Sequence, residues 1–382
     1  MKRHLVIVGG SLVGHRAALA ARRLDREIEI TVLGAERHPP YQRPPLSKQL
    51  LAGSVSPDRV YMHGGNTAYT LRPGTVAHAL DTSQKLVATS AGEVSYDLLV
   101  IGTGARPVQL AELPPGPSVI YLRTLDDALL LRSLFQEASA IAVVGAGFVG
   151  LEVASAARHR GIGVTVIDRA PRPLASVAGS GCSRVVQQLH EENGVEFLLG
   201  TTVTSWDPLT GTVTTGTGAE RRVQAVVVGA GVVPATEWVE GELPVEAGKG
   251  VLAGADGCVE GYGQLGVAGD AGSWFHPLYG RYVHVEHYET AATQAAHLAA
   301  NLLTDQATPL EEIPFCWSEQ HGTLLQVLGP RSEYATEIEL DTPSGKGWGY
   351  LENGRLEQVI LLGSGANLDQ WRQEITAQLR SA

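Results

Sequence analysis

Cysteine is nearly absent from this chain: there are three in 382 residues, Cys182, Cys258 and Cys316, lying 76 and 58 residues apart. No pair has the spacing of a redox disulfide or a metal knuckle, so neither an in-chain dithiol nor a cysteine metal site is expected. No apolar run is long enough to span a bilayer. The stretch His4-Leu5-Val6-Ile7-Val8 runs straight into Gly9 and is too short for a signal-peptide core. A cytoplasmic protein, with no membrane partner, is the expectation. Positive charge is also scarce: 29 Lys and Arg against 40 Asp and Glu leave a net charge of −11. That balance argues against a nucleic-acid partner. The histidines are scattered; His284 and His287 form a close pair with no third ligand in view, and no metal is expected.

Glycine, by contrast, is abundant, with 45 residues, and two runs of it follow apolar strands. The first is Val6-Ile7-Val8 leading into Gly9-Gly10-Ser11-Leu12-Val13-Gly14, then an alanine-rich helix over His15–Leu24 and a strand over Glu29–Leu33, with Glu36 27 residues after Gly9. The second is the strand Ala140–Val144, the glycines Gly145, Gly147 and Gly150, a helix over Leu151–Arg158, and the strand Gly163–Ile167 ending at Asp168. Both are βαβ units in which the helix N-terminus points N–H groups at a pyrophosphate and the acid accepts from ribose hydroxyls. Two fingerprints on one chain imply two dinucleotides, a flavin and a nicotinamide. The middle glycine of the first is replaced by Ser11, small enough to keep the site and able to donate to a phosphate. Asp168 favours NADH over NADPH, because its carboxylate repels a 2′-phosphate; Arg169 and Arg172, next in sequence, are either solvated or a 2′-phosphate clamp. Further apolar strands end at Gly102-Thr103-Gly104, at Gly229-Ala230-Gly231 and at Gly269-Asp270. Strands over Leu324–Leu328 and Tyr334–Leu340, the pair Gly349–Leu351 and Leu356–Leu362 about an Asn353-Gly354 turn, and a helix over Asn367–Leu379 make the tail a small α+β domain.

These segments together resemble the FAD-dependent NAD(P)H:ferredoxin reductases of bacterial cytochrome P450 and ring-hydroxylating oxygenase systems, relatives of rubredoxin reductase and apoptosis-inducing factor. The most specific element is Pro40-Tyr41-Gln42-Arg43-Pro44-Pro45-Leu46-Ser47-Lys48, joined by Leu122–Ala128, Gly269-Asp270, Glu286-His287-Tyr288 and Pro314–Gln320. In the related disulfide and persulfide reductases, the segment after the first acid carries a redox cysteine; here it carries none. The resemblance implies an α/β fold with two Rossmann-like domains, FAD over 1–108 and 231–308, NAD(P) over 109–230, and a C-terminal α+β domain over 309–382.

The resemblance also implies roles. Lys48 stands near flavin N5, paired with Glu152, where a cation stabilises the charge of the reduced state. Arg43 and Arg123 reach the FAD, Asp270 its ribityl chain, and Arg37, Ala77, Thr103, Gly104 and Gly269 complete the flavin set. Glu286 and His287 line the nicotinamide side, with Tyr288 where a tryptophan is usual. Trp317 either packs near the isoalloxazine or belongs to the core, beside Cys316 in place of a usual aromatic. Phe148, Val149, Arg169, Gly231 and, besides its pairing with Lys48, Glu152 join the nicotinamide set. The expected partner is a 2Fe–2S ferredoxin serving a cytochrome P450 or oxygenase, with Arg281, His284 and Arg43 as a candidate basic patch for an acidic partner, and the reductase a monomer or homodimer. Two other functions would use the same fold: reduction of a quinone or oxygen, and an NADH-responsive interaction flavoprotein.

Overall fold

The computed structural model describes residues 2–64, 68–343, 345–363 and 367–381. The chain divides into two compact units: Met1–Gln42, Val60–Arg106 and Val233–Cys316 in the first, and Arg43–Arg59, Pro107–Val232 and Trp317–Ala382 in the second.

The first unit is built on a six-stranded sheet in the order Cys258–Val259, Tyr262–Val267, Leu98–Ile101, His4–Val8, Glu29–Gly34, Thr70–Pro73. The last five run parallel. Leu5, Val6 and Ile7 are fully buried, as unbroken apolar runs in the middle of a covered parallel sheet must be. The helix Leu12–Leu24 starts three residues before the expected His15, because Leu12, Val13 and Gly14 are drawn into its buried face directly from the turn. It packs against the helix Tyr288–Leu303. Ala17, Ala18 and Ala21 on one helix and Ala291, Ala295 and Ala299 on the other are buried, and side chains this short allow close axes. The strand expected to end at Gly269-Asp270 is instead Tyr262–Val267, and Gly269–Ala271 is a single 3-10 turn entered with Gly269 at φ 70°. Two smaller sheets, of strands Ala77–Asp81, Leu86–Thr89 and Gly92–Ser95, and of Val245–Glu246, Gly250–Ala253, Gly272–His276 and Arg281–Val283, complete the unit.

The second unit holds a parallel sheet in the order Val195–Leu199, Gly163–Asp168, Ala140–Val144, Ala225–Val228, Val119–Tyr121. Its helix Phe148–His159 also begins three residues before the expected Leu151. The tail forms a five-stranded sheet in the order Phe315–Gln320, Thr323–Leu328, Arg355–Leu362, Lys346–Glu352, Thr336–Leu340. Asn353 and Gly354 turn the hairpin at φ 51° and 79°, the two positive values a type I′ turn requires. The closing helix Leu368–Arg380 is N-capped by Asn367 and buries Ile375 and Leu379. Among the described residues no helix is long and apolar enough to cross a membrane.

Candidate active site

In the first unit, four parallel strands end side by side, and each is followed by candidate residues: Gly269-Asp270 after Tyr262–Val267, Thr103-Gly104 after Leu98–Ile101, Gly9–Gly14 after His4–Val8, and Glu36-Arg37 after Glu29–Gly34. The carboxyl edge of such a sheet is where nucleotides bind. The loop is held there by backbone. A Cβ on Gly9 would lie 2.0 Å from the Gly102 carbonyl oxygen, and one on Gly14 would lie 2.1 Å from the Gly9 oxygen. Ser11 sits at the helix N-cap without a side-chain cap bond, and the first turn carries no acid. That arrangement fits a bound pyrophosphate, since the N-terminal N–H groups and the helix dipole both favour an anion.

Around this loop, Tyr41 donates to Glu36 and Thr103 to the Ala235 carbonyl. A Cβ on Gly269 would stand 3.0 Å from Val13, so Asp270 follows a glycine pressed against the loop's own helix. Ala77 opens the strand Ala77–Asp81. His287 N-caps the helix that begins at Tyr288, again with no side-chain cap bond. Glu286 lies 3.2 Å from His284. Burial works against charging His284, but the Glu286 carboxylate, the Gly272 carbonyl and the Asp270 charge outweigh it and raise the imidazole above its ordinary value. Arg281 lies over the Tyr279 ring.

In the second unit, Gly145 and Gly150 repeat this backbone logic, with virtual Cβ atoms 2.2 Å from the Gly229 oxygen and 2.0 Å from the Gly145 oxygen. Gly147 caps the helix that opens with Phe148 and Val149, and a Cβ there would meet nothing within 4 Å. Gly231, at φ 102°, also faces open space. These clear positions fit a second dinucleotide. Asp168 ends its strand with both carboxylate oxygens engaged: Oδ2 accepts from the Ala146 N–H at 2.6 Å and Oδ1 from the Ala170 N–H at 2.7 Å. The acid therefore also braces the glycine loop. Arg169 beside it is exposed.

The same unit brings Lys48 and Glu152 together. Lys48 ends the 3-10 turn Pro44–Ser47, a turn the prolines favour by fixing φ. Its Nζ lies 2.8 Å from Glu152 Oε1, with side chains only 9% and 5% exposed. It also stands 5.2 Å from the centroid of the half-buried Trp317 ring. Glu152 accepts two more hydrogen bonds, from Ser318 to Oε1 at 2.6 Å and from Ser47 to Oε2. A buried carboxylate with two hydroxyl donors and a cation is compensated, where a bare one would not be. Arg43 donates to the Arg123 carbonyl just before a helix closed by the Thr124–Asp127 capping box.

Sequence reasoning did not assign Ser47, Ser318, Gln320, His190 or His321 to this cluster. His190 Nε2 meets Gln320 Oε1 at 3.0 Å, and His321 Nε2 meets His190 Nδ1 at 3.1 Å. The alternation of Ser318 and Gln320 on one strand puts them on one face, the one signal available in sequence. Burial pushes both imidazoles down to about 4, with the His190 ring and Arg158 adding to the effect at His321. As pH falls below about 6.5 the unfolded chain takes up protons that the folded one refuses, so stability is whole above 6.5 and drains away toward 4. Denaturant titrations should find about 2 kcal/mol less stability attributable to His190 at pH 4.5 than at pH 7. His190→Phe should remove that part of the acid dependence; an unchanged dependence would contradict it.

The chain matches the sequence pattern of the pyridine nucleotide-disulphide oxidoreductases over residues 3–295. It is 36% identical over 336 residues to the anthranilate 1,2-dioxygenase system ferredoxin–NAD(+) reductase component of Burkholderia cepacia, covering 85% of this chain and 81% of the relative. It is likewise 36% identical over 343 residues to rhodocoxin reductase of Rhodococcus erythropolis, covering 85% and 78%. The crystal structure of the covalent putidaredoxin reductase–putidaredoxin complex superposes with a TM-score of 0.92 at 28% identity, over 98% of this chain and 93% of that one. On the pattern and these relatives, the chain belongs to the pyridine nucleotide-disulphide oxidoreductase family and is an NAD(P)H-dependent oxidoreductase.

Proposed function

We propose that this protein oxidises NADH and reduces a 2Fe–2S ferredoxin that serves a cytochrome P450 or a ring-hydroxylating oxygenase, working in the cytoplasm as a monomer or homodimer. One NADH and two oxidised ferredoxins give NAD+, two reduced ferredoxins and a proton. Bound FAD supplies the conversion of a two-electron donor into one-electron deliveries. The observation that carries the reading is the buried Lys48–Glu152 pair, set in a segment without cysteine. None of the three cysteines is in a disulfide, and burial pushes the Cys182 thiol up and the Cys258 thiol up to about 12, the opposite of what thiolate chemistry needs.

In this reading Gly9–Gly14 hold the FAD pyrophosphate, with Glu36 on its ribose and Asp270 on its ribityl chain, while Lys48 supplies the cation for the flavin. Arg37, Arg43, Ala77, Thr103, Gly104, Arg123, Gly269, His287, Tyr288 and Trp317 complete the FAD set. Gly145, Gly147, Phe148, Val149, Gly150, Glu152, Asp168, Arg169, Gly231, Glu286 and His287 hold the nicotinamide nucleotide. The division into 1–108 with 231–308, 109–230 and 309–382 assigns FAD, NAD and tail functions.

Asp168 selects NADH. Asp168→Ala should lower kcat/KM for NADH roughly tenfold, the worth of a hydrogen bond to a charged group, while NADPH loses less. The ratio of the two is the readout, because a loosened glycine loop alone would harm both equally. Steady-state assays with ferredoxins, quinones and oxygen as acceptors test the proposal. Ferredoxin-dependent NADH oxidation supports it; turnover with quinone or oxygen alone defeats it.

A further inference from the structure

Lys48 and Glu152 do not stand alone in the second unit. Ser318 donates to Glu152, Gln320 Nε2 donates to Ser318 Oγ at 3.1 Å, His190 Nε2 faces Gln320 Oε1, and His321 Nε2 faces His190 Nδ1. Ser318 and His190 are 0% exposed and Gln320 2%. The direction of every bond in this row follows from its first. A carboxylate paired with Lys48 only accepts, so the Ser318 hydroxyl spends its proton on Glu152. Its lone pairs then take the Gln320 amide N–H. The Gln320 oxygen requires a proton on His190 Nε2, which leaves Nδ1 free to accept from His321. Four dipoles therefore point one way, at Glu152. Three elements fix the row: the helix Phe148–His159, the strand Phe315–Gln320 and the helix Ser180–Glu192. At its far end His321 is held at φ 50°, with its backbone N–H donating to Ser155 Oγ at 2.7 Å on the turn after Glu152.

We propose that Ser318, Gln320 and His190 are positioning residues: a one-way hydrogen-bond row that aims the Glu152 carboxylate at Lys48 and so holds the lysine in one place. Donors aligned on the carboxylate fix its orientation, and aligned hydrogen bonds polarise one another in a dry interior. Both imidazoles are neutral at pH 7, as the row requires.

This rests on the reading that the Lys48 charge acts on the flavin. Removing a donor frees the Glu152 carboxylate to turn away, the Lys48 ammonium loses its fixed partner and place, and reduction of the flavin becomes less favourable. The test is the midpoint potential of the bound flavin in the holoenzyme, measured by spectroelectrochemistry at pH 7. Ser318→Ala should weaken the preference for the reduced flavin about tenfold, about 30 mV for a two-electron couple. His190→Phe should shift it the same way by less, and Ser318→Thr, which keeps the hydroxyl, should restore it. Lys48→Met should exceed them all. If Lys48→Met lowers the potential and a folded Ser318→Ala does not, the row is overturned and the lysine reading stands. If Lys48→Met leaves the potential unchanged, the lysine reading falls and the row's purpose with it. Should His190→Phe fail to fold, the Ser318→Ala and Ser318→Thr pair decides alone.

Discussion

Lys48→Met should slow reduction of the bound flavin by NADH roughly 10²–10³-fold, the usual loss when a preorganised electrostatic group is removed. Methionine keeps the length of the side chain and its contact with the Trp317 ring, so packing changes little. What goes is a cation held 2.8 Å from Glu152 in a site where both side chains are nearly sealed from water. In such a place charge is screened weakly, which makes the effect large. The orphaned Glu152 carboxylate is a stability problem as well, worth about 3–5 kcal/mol if it stayed ionised. It has a way out, since it can take a proton and still accept from Ser47 and Ser318. Stopped-flow reduction at saturating NADH separates the rate from NADH affinity. A rate within a factor of two of the unaltered protein would remove Lys48 from the chemistry.

Gly9→Ala should yield colourless protein. Its Cβ would sit 2.0 Å from the Gly102 oxygen and 2.4 Å from the Gly102 carbonyl carbon, and Gly9 holds φ 135°, which an L side chain rarely adopts. Both partners are backbone at the ends of adjacent strands, so relief means parting the His4–Val8 and Leu98–Ile101 pair. Backbone strain and overpacking together place the cost at about 4 kcal/mol or more. Gly147→Ala is the contrast: that position has extended backbone and no atom within 4 Å of a Cβ. It should fold, keep its flavin and lose only nicotinamide affinity. Flavin content by absorbance after purification reads both variants, and a yellow Gly9→Ala protein at full occupancy would refute the geometry.

These two cases mark what a sequence can disclose. Gly9 with Gly14, and Gly145 with Gly150, are legible because each is required by backbone a few residues away or by a strand next in the sheet. Asp168 is legible for a similar reason: it closes a strand next to the glycine loop it braces. The Asn353-Gly354 turn needs only its own two dihedrals. Helix starts at Leu12 and Phe148 were hidden because glycine turns and first helical turns share composition, and the buried face decides between them. The partners of Glu152 were hidden more deeply. Ser47 and Ser318 are 105 and 166 residues away from it, and nothing local in either serine says which carboxylate it will meet. Nothing local marks Gln320 or His190 as members of this cluster; the tail sheet and the Ser180–Glu192 helix put them in a row.

The central claim is that electrons enter this protein from NADH and leave it for a ferredoxin. Anaerobic double-mixing stopped-flow tests it most directly: the yellow holoprotein is bleached with one equivalent of NADH, then mixed with each of a panel of 2Fe–2S ferredoxins while flavin colour is followed. The account predicts fast bleaching by NADH and fast return of colour with at least one ferredoxin, at a rate that falls as salt rises. Colour that returns with no ferredoxin, but returns quickly on mixing with quinone or oxygen, would contradict it.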